Sequence, residues 1–125
     1  MTTYQAADTH DNTGALVALD PQPSSEGIQT ADRVYCAGAA YDAGADFIIL
    51  RFKGLLSPAQ LAALYAALGL TSSVDNEGTF HLPQDIGRTT WGDYNGRAIR
   101  PESPKFRMGF YRDVEIMIGE LVEIT

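Results

Sequence analysis

The sequence predicts a mainly β domain of the α+β class: an antiparallel β-sandwich or split barrel with one flanking α-helix at about residues 58–68. Three observations predict it. FIILRFKG (47–54) and the stretch Asp113–Thr125 alternate side chains with the period of two that a half-buried strand needs. SPAQLAALYAALGL (57–70) carries the clearest helix signals in the chain. After it, the pattern returns to short strand-like runs separated by turn residues.

In chain order, residues 1–27 carry little core-forming pattern. ALVAL (15–19) is their one apolar patch, and the breaker-rich DPQPSSEG follows. They read as an N-terminal arm and linker with one short strand, lying along its own domain or on a neighbouring subunit. Residues 28–125 read as the β-sandwich-like domain. IQTADRVYCAG (28–38) reads as a strand and AAYDAGAD (39–46) as a Gly- and Asp-bearing connection. FIILRFKG is a strong strand, β-branched and aromatic, with Arg51 and Lys53 alternating against Leu50 and Phe52.

The helix is fully punctuated. Ser57 is placed to cap its N-terminus, with Pro58 at the first helical position, where a missing N–H costs nothing. Gln60 completes a capping box, and Leu56 can staple onto Leu61. Leu61, Leu64, Tyr65 and Leu68 form one apolar stripe, and Gly69 suits the left-handed position that ends a helix. The other face is mostly alanine, with no charge from Ser57 to Ser73. Alanine favours helix but solubilises poorly, so this face is expected to be covered, for example by another subunit.

Beyond the helix, VDNEGTFHLP (74–83) reads as a turn at Asp75–Gly78 and a short strand through Phe80 and Leu82. RTTW (88–91) and RAIRP (97–101) read as the arms of a hairpin turning at Asn95–Gly96 or across Asp93–Gly96, anchored by Trp91. Lys105–Tyr111 reads as one strand and Asp113–Thr125 as a longer one. Its alternation stumbles at Glu120–Leu121, as a bulge at Gly119 would produce.

A chain of 125 residues fits one domain, and 45% hydrophobic residues suffice for a core, which excludes a chain disordered throughout. No run approaches the ~18 apolar residues of a spanning helix. The polar, acidic start lacks the basic and apolar parts of a secretory signal. With one cysteine, Cys36, no intramolecular disulfide forms; its neighbours Val34, Tyr35 and Ala37 mark it as a small buried residue. Charge is uneven. Residues 1–46 hold seven acids, Asp42 and Asp46 among them, against Arg33 alone; residues 87–112 hold six basic residues against two acids. A net charge of −7 argues against nonspecific nucleic-acid or membrane binding. An acidic and a basic region suit docking between copies or onto a partner, or both are simply solvated.

Catalytic chemistry has little support. No metal spacing links His10 and His81. DTHDNTG (8–14) lacks the acid that closes a calcium loop. Phosphate loop, dinucleotide fingerprint and nucleophile elbow are all missing, so no enzyme, cofactor or metal is expected. Trp91 and Tyr94 with Arg97 and Arg100 suggest a stacking platform, as in a small carbohydrate-binding module. The rival reading packs Trp91 into a core or an interface.

The order FIILRFKGLLSPAQLAALYAALGL, TFHLP, RTTWGDYNGRAIRPE, FRMGFYRDVEIMIGELVEI resembles small tail structural proteins of tailed bacteriophages, the tail-tube and distal-tail fold group. The resemblance covers roughly residues 47–125 and rests on element order plus the W-x-x-Y-N-G-x-A stretch (91–98). It implies a non-enzymatic virion component, assembled in the host cytoplasm: a tube, distal-tail or minor tail protein, or alternatively a head-to-tail joining or tail-terminator protein. Its implied partners are copies of itself in a ring and other tail proteins. DNA would pass a lumen without specific binding, and no membrane is involved. The candidate interface is Trp91, Tyr94, Arg97, Arg100 and Arg107 on the basic side, with Asp42 and Asp46 on the acidic side.

Overall fold

Alternating side chains become paired strands. The computed structural model describes residues 3–30, 33–36, 39–42, 46–85, 87, 90–101 and 105–124, with backbone alone for 33–36 and 39–42. Strand β6 (Asp46–Phe52) lies antiparallel to β11 (Val114–Glu123), and Phe52, Leu50 and Ile48 stand opposite Val114, Ile116 and Ile118. All six are buried. Around them run β1 (Gln5–Ala7), β2 (Val17–Ala18), β3 (Gln29–Thr30), β7 (Asp75–Pro83) and β8 (Trp91–Ile99). These strands form one antiparallel sheet in the order β2-β1-β7-β8-β11-β6-β3. Among the described residues two further strand pairs stand apart from this sheet: β4 (Arg33–Cys36) with β5 (Ala39–Asp42), and β9 (Lys105–Arg107) with β10 (Phe110–Arg112). Among the described residues the fold is therefore mainly antiparallel β with one α-helix, as expected, and the sheet does not close into a barrel.

Helix α1 (Pro58–Leu68) matches its signals. The Ser57 backbone N–H donates to Gln60 Oε1 at 2.9 Å, and the Gln60 N–H donates to Ser57 Oγ at 3.2 Å. Gly69 ends it at φ 73°. Its stripe of Leu61, Leu64, Tyr65 and Leu68 joins the core with Phe80, Leu82, Ala98 and Leu70, so the helix covers one face of the sheet. Ala59, Ala62, Ala63 and Ala66 remain exposed.

The stretch expected as an arm lies along its own domain. β1 pairs with β7, and Tyr4, Ala6 and Leu19 are core residues. Beyond β2 the chain crosses from one edge of the sheet to the other. The Gln22 side-chain amide acts there as a strand partner: Oε1 accepts from the Tyr4 N–H at 2.7 Å, while Nε2 donates to the Tyr4 and Leu19 carbonyls. Ser24 then pairs with Arg51 of β6 through two backbone hydrogen bonds, and Gln29 and Thr30 continue that pairing as β3. Gly27, at φ 79°, makes the bend between them.

Four local expectations are corrected. Asp75–Gly78 is not a turn but the start of the continuous strand β7, because β8 pairs with it from Asp75 to Pro83. Asn95–Gly96 is likewise mid-strand: β8 has neighbours on both sides, and turn propensity yields to two ladders of hydrogen bonds. Gly96 fits by size, since a Cβ there would lie 2.6 Å from Leu121 Cδ2 and 2.9 Å from Ile118 Cγ2. The real two-residue turn is Met108–Gly109 (φ 56° and 86°), which folds the expected strand Lys105–Tyr111 into a hairpin of the primed type. Residues 39–42, expected as a connection, are strand. The bulge expected at Gly119 is present: the β8–β11 register shifts between Gly119 and Val122, with Glu120 at φ 55°. Arg88 and Thr89 of the expected RTTW strand, and the Cys36 side chain, lie outside the described residues.

Candidate functional site

Three residues along a strand put Trp91 and Tyr94 on opposite faces of β8, so they build no common platform. Tyr94 is in the core; its hydroxyl accepts from Gln84 Nε2 at 2.6 Å, and burial raises its pKa, partly offset by that bond. The half-buried Trp91 ring meets Tyr4 edge-on at 5.1 Å and stacks on His81 at 5.5 Å. His81 Nδ1 lies 2.7 Å from Asp93 Oδ1, its directly opposed residue on β8. Trp91 is thus an anchor, as expected, but of two adjacent strands rather than of a turn.

The cations near Trp91 are used internally. Arg97 Nη1 bonds Asp75 at 3.0 Å; its Nε lies 3.1 Å from Glu120, off the hydrogen-bond direction, so that contact is an ion pair. Arg100 sits over the Tyr65 ring at 4.9 Å and reaches the Leu70 and Thr71 carbonyls. Burial raises the Tyr65 pKa and the Arg100 guanidinium partly offsets it. Asp46 accepts from Thr30 Oγ1 at 2.6 Å. The Asp42 side chain lies outside the described residues.

A polar ladder holds the 8–15 loop across β7 and β8. Thr79 Oγ1, fully buried, donates to the Thr9 carbonyl at 2.7 Å and accepts from the Asn12 N–H at 3.0 Å. Asn95 accepts from the Asp11 N–H and donates to its carboxylate. Thr79→Val keeps the shape but strands two backbone groups, so it is expected to cost about 1–3 kcal/mol and to deprotect this loop. Chemical denaturation and amide hydrogen exchange of residues 8–15 check both effects.

Arg107 differs from the other candidate cations. It lies on the β9–β10 hairpin with Lys105 and Arg112, all exposed. Among the described residues, none of the three has a carboxylate within 4.0 Å. Phe106, Met108 and Phe110 of the same hairpin are 55%, 85% and 40% exposed, and Leu55 nearby in the chain is 51% exposed. The hairpin is fastened beside α1 by the Leu56–Tyr111 backbone pair, with Phe106 packed on Tyr111 at 4.7 Å. Sequence reading saw the cations but took this stretch for one strand and so missed the projecting apolar tip. The signal was available in Met-Gly between two Phe-bearing runs.

At the C-terminal end of α1 a shallow, open cleft is lined by Asp8, Thr9, His10, Asp75, Asn76, Glu77 and Arg97. Among the described residues, no group of three His, Cys, Asp or Glu is placed to hold a metal ion. No described helix is long and apolar enough to cross a membrane. Comparison with protein families, curated proteins and solved structures finds no match.

Proposed function

We propose that this chain is a non-enzymatic structural protein that works by assembling with copies of itself, as a ring-forming component of a bacteriophage tail, within the tube, distal tail or minor tail structures. The observation that supports self-assembly is the group of exposed Phe106, Met108 and Phe110 on one projecting hairpin. Met108 at the tip and Phe110 beside Arg107 expose apolar surface next to charge, as interaction surfaces of soluble proteins do, while Phe106 stands with Tyr111 on the other face of the ribbon. The uncharged alanine face of α1 adds a surface that backbone-close packing against a neighbour suits. The tail assignment itself rests on the resemblance of residues 47–125.

Electron microscopy of the purified protein at micromolar concentration tests the reading. Rings or stacked assemblies are expected, alone or with a tail protein, and the chain is expected in purified virions. A strict monomer that is missing from virions overturns it.

A further inference from the structure

The register of the β9–β10 hairpin sets its chemistry. Lys105 stands opposite Arg112, and Arg107 opposite Phe110, so three cations and a phenyl ring share one face of a two-stranded ribbon. Like charges directly opposite each other destabilise a strand pair, and a ribbon of two strands has little stability of its own. Met108 at the turn adds a left-handed backbone that a non-glycine residue rarely adopts. Such a ribbon calls for an anionic counter-surface. Inside the fold, by contrast, Arg51 and Arg97 each meet two carboxylates.

Charge says where that surface is. The chain carries −7 in all, and the hairpin KFRMGFYR carries +3 without an acid, leaving −10 on the rest. Helix α1 orders the two ends. The hairpin is pinned at Leu56, just before its N-terminus. The cleft lies at its C-terminus, where Asn76 Nδ2 donates to the Leu68 and Asp8 carbonyls. Eleven residues separate the ends by about 16 Å. Asp8, Asp75 and Glu77 at the cleft outnumber Arg97, which pairs with Asp75; His10 lies 3.8 Å from Glu77, Asp8 is exposed, and the negative end of the helix dipole adds to the acids.

We infer that the hairpin of one copy docks against the acidic cleft of the next, with Arg107, Arg112 and Lys105 meeting Asp8 and Glu77 while Met108 and Phe110 are covered. This rests on the self-assembly reading above and gives it a direction: two different patches meet, so the contact is heterologous and propagates head to tail, closing into a ring where the rotation allows.

The experiment is a charge exchange read by sedimentation velocity at low salt. Arg107→Glu with Arg112→Glu makes one variant, and Asp8→Lys with Glu77→Lys the other. All four side chains are exposed, so circular dichroism and thermal melting are expected to match wild type. Each variant alone is expected to associate at least about tenfold more weakly than wild type. Mixed in equal amounts they are expected to assemble again, and added salt is expected to weaken every assembly that forms. Wild-type assembly left unchanged in the hairpin variant overturns this inference and leaves self-assembly standing. Failure of the mixture to recover, with both variants folded, overturns the hairpin-to-cleft pairing. A wild-type chain that stays monomeric overturns both readings.

Discussion

Phe80→Ala is expected to lower stability by about 3–5 kcal/mol, at the top of the range for a single core truncation. Phe80 is 1% exposed, on the core face of β7. It stands between Ala6 of β1 and Tyr94 of β8, so its ring fills the place where three strands meet the helix layer. Truncation removes the buried ring and leaves a cavity that neighbours on three strands cannot collapse to fill. Against a typical total of about 5–15 kcal/mol, such a loss consumes much of the margin. Thermal unfolding checks it: the midpoint is expected to fall by roughly 10–20 °C. A fall of only a degree or two would mean that the site is not packed as described.

Gly27→Ala is expected to cost about 2–4 kcal/mol, although it adds one methyl group. Two effects combine. The backbone there is left-handed, at φ 79°, and the added Cβ would lie 2.6 Å from the Asp85 carbonyl carbon and 2.8 Å from its oxygen. Those are main-chain atoms, so no side chain can swing aside. Relief requires the 24–30 segment to part from either Asp85 or β6. Gly14→Ala in the same N-terminal region is the control: nothing lies within 4 Å of the place its methyl group would take, and a change below about 0.5 kcal/mol is expected. Urea unfolding of the two variants beside wild type decides the matter. Equal effects would sink the close-approach account.

Legibility in the sequence followed the range of the forces involved. The helix was readable from Ser57 to Gly69 because caps, stripe and stop are all local, and each works within one turn. Strands β6 and β11 were readable because both alternate long enough to show one buried face. The bulge at Gly119 was readable as a break in that alternation. What failed depended on partners far away in the chain. Asn95–Gly96 is a strong turn signal locally, yet β7 and β11 hold it straight, and its Asn is spent on Asp11 and Thr79. The N-terminal segment looked coreless because its contribution is four residues, Tyr4, Ala6, Ala7 and Leu19, and a glutamine imitating a peptide. No local period encodes a strand that is two or three residues long. The candidate site divided in the same way. Arg97 and Arg100 were visible as cations, but only their partners show that they are engaged internally, and Arg107 was visible without its apolar setting.

The pairing of β1 with β7 also sets an order of events during synthesis. Gln5, Ala6 and Ala7 leave the ribosome before their partners His81, Phe80 and Thr79, which follow more than seventy residues later. Central strand β8 gains its second neighbour, β11, only when a further 18 to 29 residues have been made. In the interval Tyr4, Ala6 and Leu19 have no core to join, and the ladder atoms of β7 face water. Sheets dominated by such distant pairings form in milliseconds to seconds rather than microseconds. A growing chain therefore exposes strand edges until those later partners arrive, while the 24–30 segment can already pair with one edge of β6. Encounters between copies during that window would join unfinished edges, whereas encounters afterwards find an edge already partly paired at Ser24 and at Gln29–Thr30.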